Sequence, residues 1–145
     1  MKADRDAERI GSRKPLKILL AEDNKVNQVL TMGLLSCLGY HCDLAVDGRR
    51  AIEASEQEAY DLILMDCQLP LIDGYQAAEI ISQRPNQRPT IVAYSANISQ
   101  REQERCKASG MEMILGKPVS LDSLERIVTK VFDRKQIQQM SNHAN

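Results

Sequence analysis

Residues 61–74 read DLILMDCQLPLIDG. The apolar run Leu62 to Met65 has the length of a buried strand and is too short for a helix. It ends on a carboxylate, Asp66, and Pro70, Asp73 and Gly74 break the pattern directly afterwards. A strand that is apolar on both faces belongs to a sheet covered on both sides. Its terminal aspartate then needs neighbours that make an ionised group tolerable there.

Working outward, the same alternation recurs along the chain. LKILLA (16–21), YHCDLAV (40–46), TIVAYSA (90–96) and MEMILG (111–116) read as further strands. Between them, NKVNQVLTMGLLSCLG (24–39) carries apolar residues at 26, 29, 30, 34, 37 and 38, a helical spacing that Gly39 stops. DGRRAIEASEQEA (47–59) has Asp47 as a cap and a weakly amphipathic pattern. DGYQAAEIISQ (73–83) is a helix ending before Pro85, and SQREQERCKAS (99–109) is a polar one ended by Gly110. SLDSLERIVTKVF (120–132) is strongly amphipathic, and residues 133–145 extend it into a tail. Residues 1–15 read as a polar tail or linker, which leaves one domain over 16–132.

Five strand–helix units in succession predict an α/β fold with a parallel sheet. Right-handed crossovers make that sheet open and doubly wound. Ligands of such sheets sit beyond the carboxyl ends of the strands.

The totals narrow the function. The chain has 145 residues, 19 basic and 20 acidic, with a net charge of −1. That balance supplies no field for nucleic acid or an anionic membrane. One Phe and no Trp leave little for stacking on bases. No apolar run approaches the roughly 20 residues of a membrane span. MKADRDAERIGSRK has no apolar core of a signal peptide, so a cytoplasmic protein is expected. Cys37, Cys42, Cys67 and Cys106 fit no metal-finger spacing and read as small apolar residues. His41 lies beside two of them, but Leu38 and Tyr40 mark that stretch as packing sequence.

The carboxyl ends of the strands carry the chemistry. Glu22 and Asp23 follow the first strand, Asp66 ends the third, Ser95 lies near the end of the fourth, and Lys117 follows the fifth. Each alone is ordinary: an acidic pair caps helices, and a lysine before a proline is usually solvated. Together they fall on one edge of one sheet. Three carboxylates brought close repel unless a cation joins them. A hard divalent ion, Mg²⁺ above all, matches oxygen ligands. A lysine and a hydroxyl beside it suit a phosphoryl group, as counter-charge and donor.

LLAEDNKVNQ, DLILMDCQLPLIDG, IVAYSAN and LGKP resemble the signature segments of response-regulator receiver domains of two-component signalling, in the family's order and approximate spacing. The resemblance covers residues 16 to about 132. The first three segments are similar to receiver domains attached to hybrid sensor histidine kinases. The resemblance implies a flavodoxin-like (βα)5 fold with strand order 2-1-3-4-5. It implies Asp66 as phosphoacceptor, with Glu22, Asp23, Asp66 and the backbone carbonyl of Gln68 at a Mg²⁺ site, Mn²⁺ being the alternative ion. Glu22 would act through a metal-bound water. Lys117 would pair with phosphoryl oxygens, its peptide bond to Pro118 would be cis, and Ser95 would be the switch hydroxyl.

The function so implied is phosphorelay signalling. A phosphohistidine of a histidine kinase or histidine phosphotransfer domain would donate to Asp66, and the resulting switch would control a partner. Gln68 and Asn97 would tune the phosphoryl lifetime. Asn24, Val26 and Asn27 would lie on the docking face, and the helices over 99–109 and 120–132 are candidates for a homodimer face. Tyr94, just before Ser95, could supply an aromatic near the switch hydroxyl, but its strand parity points it to the opposite face. The one departure is Ile114, where the family often carries Tyr or Phe. It keeps a second reading open, a receiver-like binding scaffold without productive phosphorylation. A nucleotide or flavin binder is disfavoured, because GxGxxG and GxxxxGK[ST] are both missing.

Overall fold

A computed structural model describes residues 9–85 and 89–144. Its strands are β1 (Ile18–Ala21), β2 (Cys42–Ala45), β3 (Leu62–Asp66), β4 (Thr90–Ser95) and β5 (Met113–Gly116). The helices are α1 (Ile10–Arg13), α2 (Lys25–Cys37), α3 (Gly48–Gln57), α4 (Gly74–Ser82), α5 (Gln100–Ala108) and α6 (Leu121–Ala144). All neighbouring strands are parallel, in the order β2-β1-β3-β4-β5. This is the doubly wound sheet and the order expected from the sequence.

Local chemistry sets the ends of the helices. Asn24, Asp47, Asp73 and Ser99 each accept a hydrogen bond from the backbone N–H three residues on, opening α2, α3, α4 and α5. Such caps satisfy donors that the first helical turn leaves open. Gly39 and Gly110 end α2 and α5 with φ of 93° and 92°, a region that side chains with a Cβ avoid.

The central strands are buried on both faces, and β1, β3 and β4 have no exposed residue. Alternate residues therefore feed two cores. Ile18, Leu20, Leu62, Leu64, Val92 and Tyr94 pack with α2 and α6. Leu19, Ile63, Met65, Ile91 and Ala93 pack with α3, α4 and α5. The edge strands are less covered: Leu44 on β2 is 39% exposed.

Two expectations change. Residues Ile10–Arg13, read as part of a polar tail, form α1, with Ile10 buried in the first core. The Gly11 N–H donates to Leu38 O at 2.7 Å, and Tyr40 Oη donates to Lys14 O at 2.6 Å. One apolar residue in a charged stretch gives no periodicity to read, so only tertiary packing exposes its role. The reading of residues 1–8 lies outside the described residues. On α2, the apolar residues at 26, 29 and 30 are exposed, with Val26 and Val29 each at 74%. Thr31 and Leu35 take the buried face instead. Past the amphipathic stretch, where the sequence reads a helix extension and tail, α6 continues as helix to Ala144. Its extension leaves the core, held near its start by ion pairs of Arg134 with Glu112 and of Lys135 with Asp61, the latter at 3.2 Å. Among the described residues no helix is long and apolar enough to cross a membrane.

Candidate functional site

Strand ends set the depth of every functional side chain. In the parallel register Ala21 faces Met65, so Glu22 and Asp66 leave adjacent strands at the same level. Asp66 faces Tyr94, and Ser95 faces Gly116 directly before Lys117. The Lys117 N–H donates to Ser95 O at 2.9 Å, and the Glu22 N–H to Ala45 O at 3.0 Å. The ladder thus continues one step past each strand and carries these residues to one edge.

The expected acidic cluster forms. Glu22, Asp23 and Asp66 each offer a carboxylate oxygen within 4.8 Å of the others. Glu22 is fully buried, Asp66 is 4% exposed, and Asp23 faces solvent. Lys117 Nζ sits 3.1 Å from Asp66 Oδ2 and 3.7 Å from Glu22 Oε1. The Gln68 N–H donates to Asp66 Oδ1 at 3.0 Å.

Glu22 is the anomaly. Neither of its carboxylate oxygens has a hydrogen-bond partner among the described residues. Burial first, then the Asp66 carboxylate, push its pKa well above the carboxylate range, with Lys117 and then the Asn27 side chain only partly opposing them. A buried carboxylate without donors is costly, and a hard cation among the three carboxylates answers that cost. Nothing comparable surrounds Cys37, His41 and Cys42, which form no metal-holding group among the described residues.

A small cavity beside Asp66 is lined by Gln68, Tyr75, Ser95, Asn97, Glu102 and Lys117. Ser95 Oγ donates to Asn97 O and accepts from Asn97 N, both at 3.1 Å. Its hydroxyl is therefore engaged in a local turn on the cavity wall. The loop after Asp66 is tight. Leu71 holds a φ of 70°, the Gly74 N–H donates to Cys67 O at 3.1 Å, and a Cβ on Gly74 would collide with Asp66 O. Asp73 closes the loop by capping α4 at 2.9 Å. The Lys117–Pro118 bond is cis.

Sequence reasoning missed several neighbours. Cys67 and Cys106 lie with their sulfurs 3.9 Å apart beneath the cavity, and Glu102 accepts from Tyr75 Oη. These thiols are 39 positions apart in the chain, so no local pattern connects them. Tyr94 lies closer to the chemistry than its parity suggests. Strand parity does place it opposite Ser95, but Asp66 and Lys117 lie over that same opposite face. The Tyr94 ring centroid is 4.6 Å from Lys117 Nζ, and Thr31 Oγ1 donates to Tyr94 Oη at 3.3 Å. Ile114, by contrast, packs into the second core.

The sequence profile of the response regulator receiver domain matches residues 18–131. The chain belongs to the response regulator receiver domain family. Its relatives include histidine kinases. It is 41% identical over 122 residues to hybrid signal transduction histidine kinase H of Dictyostelium discoideum, covering 81% of this chain and 9% of that protein. It is 35% identical over 123 residues to sensor histidine kinase RcsC of Salmonella typhi, covering 85% of this chain and 13% of that one. The chain thus spans a small part of the curated relatives it matches. Among solved structures, the receiver domain of sensor histidine kinase PA1611 from Pseudomonas aeruginosa PAO1 is 41% identical with a TM-score of 0.76, covering 81% of this chain and 98% of that one. That crystal structure has a magnesium ion coordinated in its active site cleft. The receiver domain of Ssk1, in complex with the histidine phosphotransfer protein Ypd1 of Saccharomyces cerevisiae, is 31% identical with a TM-score of 0.75, covering 83% and 90%. Membership places this receiver in phosphorelay signalling.

Proposed function

We propose that Asp66 takes a phosphoryl group from a phosphohistidine in a Mg²⁺-dependent reaction, and that the phosphorylated domain switches a partner. The observation that carries this reading is the buried, donorless Glu22 carboxylate beside Asp23 and Asp66, with Lys117 opposite. Glu22, Asp23, Asp66 and the Gln68 carbonyl would hold the ion. The bound cation would neutralise negative charge on the phosphoryl oxygens.

The chain's own groups do the rest. One Asp66 carboxylate oxygen attacks phosphorus as the donor's N–P bond breaks, and the electron pair returns to the imidazole nitrogen. Lys117, already at contact distance from Asp66, turns its ammonium to the oxygens of the transferred group. Ser95 can donate to one of those oxygens once it leaves the Asn97 turn. That exchange would shift the start of α5, since Asn97 Oδ1 also accepts from the Ser99 N–H at 3.0 Å and Ser99 caps α5. The gain on phosphorylation biases an existing two-state equilibrium.

The donor's docking face follows from the exposed apolar residues Val26, Val29 and Leu30 on α2, which begins two residues after Asp23. An apolar patch of this kind beside the phosphoacceptor suits a histidine kinase or phosphotransfer helix pair. Ile114, which offers no ring or hydroxyl, keeps a non-phosphorylated scaffold as the second reading.

Incubation with acetyl phosphate and Mg²⁺ should add one phosphoryl mass, absent in Asp66→Asn. An unchanged wild-type mass, together with no Mg²⁺-dependent binding of beryllofluoride, would leave the scaffold reading standing.

A further inference from the structure

We infer that Tyr94 is a positioning residue for Lys117, its ring holding the ammonium over the acidic cluster from the core side. The inference rests on the phosphoacceptor reading of Asp66 and adds to it a residue one place before the switch hydroxyl.

The geometry is direct. Lys117 Nζ is 4.6 Å from the Tyr94 ring centroid, within the range of a cation–π contact. The same nitrogen is 3.1 Å from Asp66 Oδ2. Tyr94 is 1% exposed, whereas the Lys117 side chain is 21% exposed. The ring is therefore the fixed member of the pair and the lysine the movable one. A lysine stem loses considerable rotamer freedom when it is held in place. A π face under the ammonium reduces the positions it samples before the phosphoryl group arrives.

The ring is itself anchored. Tyr94 Oη accepts from Thr31 Oγ1, and Thr31 is fully buried on α2. A buried hydroxyl on each side is costly unless the two meet, and here they meet. An aliphatic residue at 94 would fill the core without needing Thr31 and without offering a π face. The pairing of Tyr94 with Asp66 across β3 and β4 puts the ring at the level of the phosphoacceptor. No ring approaches the site from residue 114, where Ile114 packs into the other core.

The test compares Tyr94→Leu, Tyr94→Phe and the wild type in phosphorylation by acetyl phosphate with saturating Mg²⁺. Tyr94→Leu should react roughly tenfold more slowly, the size of a partly desolvated cation–π contact. Tyr94→Phe keeps the π face and should stay within about twofold of wild type. Mg²⁺ affinity should be the same in all three, since no carboxylate is touched. Should Leu prevent folding, Tyr94→Met fills similar space without a ring. An independent reading is the Lys117 ε-methylene proton resonance, which the ring should shift upfield in wild type and Tyr94→Phe, and which should return to its ordinary position in Tyr94→Leu. Wild-type speed in Tyr94→Leu would overturn the inference, as would a matching loss of Mg²⁺ affinity, the sign of mere structural damage. An unshifted Lys117 resonance in the wild type would overturn it too. A wild type that accepts no phosphoryl group at Asp66 would instead sink the function proposed above, with the rate claim, while the resonance would still decide where Lys117 sits.

Discussion

Lys117 Nζ lies 3.1 Å from Asp66 Oδ2, although the two residues come from different strands, β3 and the end of β5, with β4 between them. The contact spans the sheet because Ser95 O accepts from the Lys117 N–H and so fixes where the lysine stem starts. The ammonium is the charge that faces Asp66, the proposed phosphoacceptor, from above the sheet edge. Removing it as Lys117→Gln leaves Asp66 and Glu22 without that cation and, in the proposed phosphoryl transfer, leaves the transition-state charge with one stabiliser fewer. Phosphorylation by acetyl phosphate should fall by about 10²–10³-fold, with the fold retained by circular dichroism. A loss under tenfold would mean the lysine is a bystander.

The acidic cluster predicts a metal response in stability. Glu22 lacks donors and sits beside Asp66, so a bound cation should relieve both desolvation and repulsion. At Mg²⁺ a hundred times its Kd, the folded state should gain about 2.7 kcal/mol. For a domain of this size that is a Tm rise of roughly 5–10 °C. Asp23→Asn, on an exposed residue, should abolish most of the rise while leaving the metal-free Tm equal to or above wild type. Differential scanning fluorimetry with and without EDTA reads both numbers.

Gly74 should tolerate no side chain. Its Cβ position falls on the backbone carbonyl of Asp66 itself. Gly74→Ala must therefore push the Asp66 loop or the start of α4 apart, at a cost of about 1–3 kcal/mol. Urea denaturation should register the loss, and phosphorylation should slow beyond what the lost stability explains. Retained stability and rate would show the loop has slack.

The thiols should divide by position. Burial pushes Cys67 up to about 11 and Cys106 up to about 12, against 9.0 for an ordinary thiol. Both therefore remain neutral in the fold at neutral pH and ionise more readily unfolded. Stability tied to them is intact below about pH 9 and is lost as pH rises toward 11 and 12. Cys37 is exposed and should react first with an aromatic disulfide reagent at pH 8, whereas Cys67 and Cys106 should react only on unfolding. Rapid modification of all four thiols in the folded protein would contradict the buried placement of the pair.

Much of the site is legible from the linear order of residues. A parallel strand buried on both faces announces itself as an apolar run, and its last residue must stand at the sheet's carboxyl edge. That reasoning alone assembles Glu22, Asp23, Asp66, Ser95 and Lys117 at one rim, because period-2 geometry and right-handed crossovers admit few arrangements. Helix ends are legible for the same local reason: Asn24, Asp47, Asp73 and Ser99 cap, while Gly39 and Gly110 stop.

What depends on distant packing is not written locally. Val26 and Val29 look like core and are surface, because the neighbours on the sheet bury Thr31 and Leu35 instead. Ile10 looks like tail and is core, because the turn at Leu38 and Gly39 receives α1. Tyr94 looks turned away from the chemistry, because parity is judged against Ser95, whereas Lys117 reaches it from a different strand. Strand length and alternation are local properties of the chain, and they set which residues arrive at the edge. Which of them touch is a matter of long-range packing, since the approach of Lys117 to Asp66, and of the Tyr94 ring to Lys117, depends on how strands far apart in sequence lie side by side.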